Sequence, residues 1–567
     1  MTERTQLAAT ESPRAMLRVA VRRNRLLMGL LALISCAIAL LMLAGPLYML
    51  QIYDRVLVSG SVETLLLITA LAAAAFLTYG VLEAMRLQAG RRFGLWLESY
   101  LFEPSLQAAA RMAEGTKPHE DLSRVRESYQ TPALFGVMDL PFSILFLAAM
   151  AILHPWLGIY GVAAMLILAI VTGINAWRTM RGQTITARAG QMISRRADAF
   201  LSGRRMLRAM GLETGLLARL SADRTEATPT IVETMDESAQ LTGLARFLRY
   251  ALQSGVLGLG AYLVLQGELG AGAMIAASIL LGRCLAPADQ AISGMHVLVN
   301  GRRAWRRVQS LLDKTEDVIP RDRLPDPENV LTVRKASVAL SPTQVILRDV
   351  GLEFKGGELV AVIGPSGAGK TTLLDLLAGV RRPQVGEVTL GGASVELYPA
   401  TQFGQLVGYL PQHLALFPAT IADNIARLAP EVDRDAVFVA ADGAGATPMI
   451  KALKEGFETI LEADGMPLSG GQRQQVALAR AVYGDPPVLI LDEPYAHLDG
   501  TATRALETLL KQRREDSKLT IMAVHDLRLA SLADRIVVIR NGQIAADGPA
   551  REIIARLQQP TRLVANA

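Results

Sequence analysis

The segment from Gly364 to Thr372 combines glycines, a lysine and two threonines in a spacing that suits phosphate chemistry. It follows an apolar run at 358–363 and leads into an apolar helix predicted at 372–377. Glycines let backbone N–H groups converge on phosphate oxygens, and a helix N-terminus adds partial positive charge. This strand, loop and helix predict a nucleotide-binding P-loop. The residues assigned to it are Gly364, Pro365, Ser366, Gly367, Ala368, Gly369, Lys370, Thr371 and Thr372.

Two adjacent carboxylates follow a second apolar run. Residues 488–491 predict a strand buried on both faces, and Asp492 and Glu493 come directly after it. The carboxyl ends of parallel strands share one edge of a sheet, so these carboxylates should lie beside the P-loop. Lys370 is then expected to bind the β and γ phosphates, and Thr371 and Asp492 are expected to bind Mg²⁺. Glu493 suits the polarisation of an attacking water.

A second loop of small residues, the signature loop at 468–472, reads Leu-Ser-Gly-Gly-Gln and precedes a helical run at 473–483. Because helix N-termini bind anions, this loop predicts a phosphate-binding surface separate from the P-loop. The residues assigned to that surface are Ser469, Gly470, Gly471 and Gln472. One chain therefore carries two phosphate-binding surfaces.

The order of these motifs resembles the ATPases of ABC transporters, in which LSGGQ is closely followed by LILDEP. The resemblance implies an α/β P-loop NTPase domain that binds and hydrolyses ATP with Mg²⁺. It also implies a homodimer in which each signature loop completes the partner's site. Gln412, in Tyr-Leu-Pro-Gln, matches the family's Q-loop and joins Thr371 and Asp492 as a Mg²⁺ ligand. His525, after a strand predicted at 520–524, matches the switch histidine that contacts the γ phosphate.

Other positions near these motifs also bear on the nucleotide site. Leu498 and Asp499 match the family's loop that crosses between the two sites, whereas His497 is interpreted as structural. No aromatic residue stands near Leu340 and Ser341, where many ABC ATPases stack a ring on adenine. Gln475 stands where arginine is common. Stacking of adenine is therefore not indicated, and loose nucleotide selectivity is an open alternative.

The composition predicts a membrane part joined to a soluble part, since 51% of the 567 residues are hydrophobic and 20% are charged. Six apolar runs approach the length needed to cross about 30 Å of hydrocarbon. They are 26–50, 62–82, 134–153, 156–177, 247–265 and 269–285. The first run is too long for a signal peptide, the alternative raised by the arginines before it. The long basic connections, 86–133 and 178–246, should lie in the cytoplasm with both termini.

The domain organisation follows from these patterns. We expect an all-α transmembrane domain with about six spans at 1–312, a linker at 313–329 and an ABC nucleotide-binding domain at 330–567. The net charge of +5 is interpreted as a solvated cytoplasmic surface, with no nucleic acid bound. Cys36 and Cys284 lie in apolar runs without metal-type spacing, which predicts core residues.

The membrane half resembles a narrower group. Its strings GPLYMLQIYDRVL at 45–57, DLPF at 139–142, HPWLG at 154–158, LGLGAYLVLQG at 257–267 and GAMIAASILLG at 272–282 are similar to the permease/ATPase of bacterial type I secretion systems that export proteases and lipases. This implies the type I ABC exporter fold in the inner membrane, with the ATPase domain in the cytoplasm. The cargo would be an unfolded polypeptide with a C-terminal signal. The partners would be a periplasmic adaptor, or membrane fusion protein, and an outer-membrane channel.

Two questions stay open at this point. An exporter of lipids, drugs or small peptides would share every ATPase motif and differ only in the membrane half. Asp139 and Arg283 are ionisable residues at membrane depth. Each either lines the substrate path or pairs with a neighbouring helix. No peptidase domain is expected before residue 26, so we do not expect this chain to cleave a leader peptide.

Overall fold

The computed structural model describes residues 12–111, 117–202, 204–314, 321–341, 344–462 and 465–558. The chain divides into two compact units, Met1–Ile319 and Pro320–Ala567. The division falls inside the segment predicted as a linker. The first two residues of that segment, Asp313 and Lys314, are the end of a helix.

The described residues of the N-terminal unit form helices joined by short turns. Its helices are α1 Pro13–Leu41, α2 Ala44–Gln51, α3 Leu57–Ser59, α4 Val62–Arg111, α5 Pro118–Gln130, α6 Pro132–Asp139, α7 Ser143–Leu153, α8 Pro155–Ser202, α9 Arg204–Ala209, α10 Glu213–Leu265, α11 Ala271–Ser293 and α12 Met295–Lys314. A π-helical turn, Ile52–Val56, joins α2 to α3, and a 3₁₀ turn, Leu140–Phe142, joins α6 to α7.

Six helical segments are long and apolar enough to cross a membrane among the described residues, as the sequence predicted. They are Pro13–Ser59, Val62–Ala110, Pro132–Leu153, Pro155–Asn175, Ala239–Leu265 and Ala271–Ala291. Helix α4 has 50 residues, or about 75 Å at 1.5 Å per residue, far more than the hydrocarbon layer requires. The apolar runs of the sequence therefore mark only the part of each helix that suits lipid.

The core of the N-terminal unit lies between the spanning helices. Met150 of α7, Leu168 of α8, Val256 of α10 and Leu281 of α11 belong to one cluster of buried side chains. On the outside, large apolar side chains such as Ile152, which is 84% exposed, have no protein contact to cover them. A lipid environment satisfies such surfaces, because acyl chains are as apolar as the side chains themselves.

The C-terminal unit contains two sheets. The strands are β1 Val330–Ser341, β2 Gln344–Lys355, β3 Leu359–Ile363, β4 Val385–Leu390, β5 Ala393–Ser394, β6 Val407–Leu410, β7 Val488–Asp492, β8 Leu519–Ala523, β9 Arg535–Arg540 and β10 Gln543–Pro549. A four-stranded antiparallel sheet has the order β2-β1-β4-β5. A six-stranded sheet has the order β10-β9-β3-β8-β7-β6, and all its neighbours are parallel except β10 with β9.

Nine helices accompany these strands in the described part of the C-terminal unit. They are α13 Lys370–Leu377, α14 Ala400–Leu406, α15 Ile421–Ile425, α16 Arg434–Gly443, α17 Thr447–Lys451, α18 Gly470–Val482, α19 Gly500–Glu515, α20 Leu527–Ala530 and α21 Ala550–Gln558. Strands β3, β7 and β8 are buried at every residue, which explains why their sequences are apolar except for Asp492 and Thr520. They are neighbours in the order β3-β8-β7, so the loops after them meet at one edge of the sheet.

Candidate functional site

The P-loop connects β3 to α13 and closes on itself. Gly369 precedes α13 with a φ of +104°, a left-handed conformation, and a Cβ there would lie 2.8 Å from the Leu347 side chain. Only glycine suits this position. The Nζ of Lys370 donates hydrogen bonds to the carbonyl oxygens of Gly364, at 2.9 Å, and Pro365, at 3.2 Å. The lysine thus folds back over the loop that a phosphate would occupy.

Lys370 is 7% exposed, which is unusual for a lysine. Burial lowers the pKa of its amine, while the carboxylates of Glu493 and Asp492 act in the opposite direction. A buried ammonium group beside two carboxylates is arranged to meet further negative charge at close range.

Asp492 ends β7 and is 2% exposed. Burial raises the pKa of this carboxyl, and a hydrogen bond with Thr371 opposes that shift. Its Oδ2 is buried without a hydrogen-bond partner among the described residues. An unpartnered carboxylate oxygen is costly to bury, and a hard cation satisfies it. The residues present therefore fit a Mg²⁺ ion held by Asp492 and Thr371.

Glu493 lies directly after β7 in a left-handed conformation, with a φ of +51°. Its backbone N–H donates to the carbonyl of Ala523, the last residue of β8, at 3.1 Å. The Nε2 of Gln412 donates to its Oε1 at 3.2 Å, and the Nε2 of His525 lies 2.7 Å from the same oxygen. The structure brings these three predicted side chains together, at the edge of the sheet where the P-loop also lies.

The signature loop is a separate feature of the C-terminal unit. Ser469 precedes α18, its Oγ accepts from the Gln472 N–H at 3.3 Å, and the Gln472 side chain accepts from the Ser469 N–H at 2.8 Å. This reciprocal capping box fixes the start of α18. A Cβ at Gly471 would lie 2.6 Å from the carbonyl oxygen of His497. In the described part of the chain, no hydrogen bond joins the signature loop to the P-loop of the same molecule.

The remaining predicted positions lie around these two loops. In the P-loop, Pro365, Ser366 and Gly367 are exposed, Ala368 is buried and Thr372 is half-buried. The Gln475 side chain donates to the carbonyl of Gly445 at 2.9 Å, which gives it a local packing contact. Asp499 caps the N-terminus of α19. Leu340 and Ser341 end β1, and the next two residues, 342–343, lie outside the described residues.

Two further side chains of this region were not predicted from the sequence. The hydroxyl of Tyr409, on β6, donates to Oδ1 of Asp375 on α13 at 2.8 Å. The Asp375 charge contributes to the raised pKa of Asp492, after burial, the largest cause. The sequence contained a signal for Asp375, because it lies four residues after Thr371 and so shares the same face of α13.

In the N-terminal unit, Asp139 is paired. Nη1 of Arg86, a residue 3% exposed on α4, donates to the Asp139 carboxylate at 2.7 and 2.9 Å and to Oγ of Ser35 at 2.9 Å. Arg283 is exposed on α11, and no ion pair is formed by it within the described ranges.

Cys284 is buried and Cys36 is half-buried, both with free thiols. The core prediction is therefore met in full only by Cys284.

Comparison with known proteins gives the family. A family model described as "ABC transporter" matches residues 347–496, and one described as "ABC transporter transmembrane region" matches residues 26–285. The chain is 32% identical to the type I secretion system ATP-binding protein PrsD of Rhizobium meliloti (strain 1021), over 93% of this chain and 92% of that protein. It is 29% identical to the alpha-hemolysin translocation ATP-binding protein HlyB of Escherichia coli O157:H7, over 94% and 77%.

The fold also matches a solved structure, that of a bacterial Atm1-family ABC exporter with ATP bound. The TM-score is 0.79 at 22% identity, and the match covers 95% of this chain and 97% of that one. This likeness, with the two family models, confirms the predicted fold class of a helical membrane domain and an α/β ATPase domain. The protein is a multi-pass membrane protein with a nucleotide-binding ATPase unit. The chain therefore belongs to the ABC transporters, in the family of type I secretion ATP-binding proteins.

Proposed function

We propose that this chain uses ATP hydrolysis to export unfolded polypeptides with a C-terminal secretion signal, as the ABC component of a bacterial type I secretion system. The observation that carries the proposal is the close match along nearly the whole chain to a type I secretion ATP-binding protein. Two other relatives are named for toxin translocation, the HlyB protein and the RTX-I protein of Actinobacillus pleuropneumoniae. The proposed partners are a periplasmic membrane fusion protein and an outer-membrane channel, and the proposed location is the inner membrane.

In the ATPase unit we assign roles from the contacts. The buried Lys370 meets the β and γ phosphates once they displace the carbonyls of Gly364 and Pro365. The rest of the P-loop supports the phosphates through backbone N–H groups. Glu493, with Oε1 held by Gln412 and His525, polarises the attacking water.

A magnesium ion completes this assignment. When bound, Mg²⁺ supplies charge neutralisation on the phosphate oxygens. The chain's own part is to hold that ion. Asp492 offers a buried oxygen without a hydrogen-bond partner among the described residues, and Thr371, hydrogen-bonded to Asp492, offers a second oxygen. Gln412 is proposed as a further ligand. His525 is proposed to contact the γ phosphate, and its Nε2 lies 2.7 Å from Oε1 of Glu493.

The working form is proposed to be a homodimer with two sites. Each site would use the P-loop side of one chain and Ser469, Gly470, Gly471 and Gln472 of the other. The capping box supports this assignment, because it fixes a helix N-terminus that makes no hydrogen bond with the P-loop of its own chain among the described residues. We also propose the domain limits 1–312 and 330–567, joined by the linker 313–329.

The test compares the proteins in the culture medium of cells that carry wild type, Lys370→Ala or Lys454→Ala. Lys454 is an exposed lysine of the same unit, so its loss controls for expression and charge. We expect specific proteins with intact C-termini to disappear from the medium only with Lys370→Ala. If the medium is unchanged although ATPase activity is lost, polypeptide export is wrong, and an exporter of lipids, drugs or small peptides becomes the better hypothesis.

A further inference from the structure

Helix α1 carries five arginines just before the first apolar run, and the protein itself engages two of them. Arg14 donates to the carbonyl of Asp313 through Nη2 at 2.7 Å and Nε at 3.2 Å. The guanidinium of Arg23 lies over the Trp96 ring, 4.7 Å from its centroid. These two side chains fix α1 against α12 and α4, so their positive charge is already in use.

The other three, Arg18, Arg22 and Arg25, are exposed and share one face of α1, because they are spaced at i, i+4 and i+7. None of them makes an ion pair or hydrogen bond with another described residue. Together with Leu17, Val21 and Leu26 of the same helix, they line an open surface depression of about 500 Å³. We call this surface the arginine groove. It combines three exposed cations with neighbouring apolar side chains.

The groove lies at the edge of the membrane. Leu26 begins the uncharged run, and Arg25, Arg22 and Arg18 lie about 1.5, 6 and 12 Å before it along the helix axis. Arginine side chains extend their charged ends toward the polar layer while their stems cover apolar surface. By the positive-inside rule this end of α1 faces the cytoplasm, where the leaflet carries anionic lipids.

We propose that the arginine groove is a binding site for one anionic phospholipid of the cytoplasmic leaflet. The headgroup phosphate meets Arg18, Arg22 and Arg25, and the start of an acyl chain lies against Val21 and Leu26. A guanidinium cluster recognises phosphate through charge-assisted hydrogen bonds, which explains the cationic part. The apolar part favours a lipid over a soluble phosphate, because an acyl chain can cover Leu26, which is 67% exposed, whereas a soluble phosphate cannot.

Native mass spectrometry of the full-length protein in detergent tests the proposal. The probes are phosphatidylglycerol, phosphatidylcholine and glycerol 3-phosphate. We expect wild type to retain phosphatidylglycerol in preference to phosphatidylcholine. The combined variant Arg18→Gln, Arg22→Gln and Arg25→Gln should bind phosphatidylglycerol about a hundredfold more weakly, since each arginine contributes a factor of about five. Glycerol 3-phosphate should not compete.

The matched control is Arg302→Gln, Arg303→Gln and Arg306→Gln, which removes three exposed arginines from α12 outside the spanning segments. It should keep the wild-type affinity. Equal losses in both variants, no loss in the first, or equal retention of phosphatidylcholine would each overturn the proposal. Competition by glycerol 3-phosphate would show that the groove binds a soluble anion and not a lipid.

The combined variant could fail to fold, which the loss of a cooperative melting transition would show. Two other measurements then test the proposal. Arg22→Gln alone should weaken retention of phosphatidylglycerol severalfold. In wild type, about 0.5 M NaCl should weaken it as well, since the Debye length then falls to about 4 Å. Retention that is insensitive to both would refute a headgroup site.

Discussion

Replacing Gly471 with alanine should destabilise the ATPase unit, whereas the same change at Gly470 should not. The added Cβ at Gly471 would lie 2.6 Å from the carbonyl oxygen of His497, and this oxygen is backbone that cannot rotate away. At Gly470 the nearest atom is the His497 ring carbon at 3.9 Å, an ordinary contact. The two positions are adjacent residues at the start of α18, so helix propensity and exposure are nearly matched.

The magnitude follows from two opposing effects. Overpacking of this kind costs about 1–3 kcal/mol. Alanine recovers up to about 1 kcal/mol over glycine in a helix. We therefore expect Gly471→Ala to lose about 1–2 kcal/mol, or roughly 2 to 8 °C in melting temperature for a unit of this size. Gly470→Ala should melt at or slightly above the wild-type temperature.

The assay is the melting temperature of the full-length protein in detergent without nucleotide, which separates folding from ATP binding. ATPase activity is then measured below the melting range. If Gly471→Ala and Gly470→Ala have the same melting temperature, the reasoning is refuted. The close approach of the His497 carbonyl to Gly471 would then not affect stability.

Three other substitutions test the remaining contacts. Glu493→Gln should lower ATP turnover by about 10²–10⁴-fold and trap a closed, ATP-bound dimer on size exclusion, and rapid turnover would remove Glu493 from its role. Asp139→Asn should lower the melting temperature, since removing one carboxylate from the buried Arg86, which keeps its pair with Glu83 at 2.7 Å, costs about 1–3 kcal/mol; adding Arg86→Gln should recover part of it. Asp54→Ala removes the acceptor of the Gly272 N–H at 3.1 Å and should cost about 0.5–2 kcal/mol in a melting experiment; an unchanged melt would refute that cap.

The ATPase motifs could be predicted because their functional residues lie close together in short, contiguous segments. The P-loop, the pair Asp492 and Glu493, and the signature loop each need particular residue types at fixed spacing, and strand patterns place them at one sheet edge. Their assigned roles stay predictions. Gln412 and His525 came from family resemblance, and the structure adds that both contact Glu493.

Contacts between distant side chains could not be predicted. Arg86 and Asp139 are 53 residues apart, and only the packing of α4 against the other helices brings them together. From the sequence, Arg86 belongs to the start of a basic cytoplasmic connection, yet it is buried. Tyr409 and Asp375, 34 residues apart, are a similar case across β6 and α13.

The ends of the spanning helices were also beyond the sequence patterns. An apolar run reports where lipid contacts a helix, but helix α4 continues to Arg111 through a mixed sequence that includes Gly90, Gly94 and Pro104. The apolar sequence ends at the membrane surface, whereas the hydrogen-bonded backbone of the helix continues beyond it. Span length and helix length are therefore separate quantities in this protein.

The same separation gives helix α8 a mechanical meaning. Its 48 residues extend about 72 Å, and only the first 21, Pro155–Asn175, suit the bilayer. About 40 Å of continuous rod therefore projects beyond the lipid. A tilt of about 5° around one end would displace the other by about 6 Å, more than one helical turn. Such a rod transmits rotation by leverage, so a small tilt among the spans becomes a large displacement at its far end without any side-chain relay along its length.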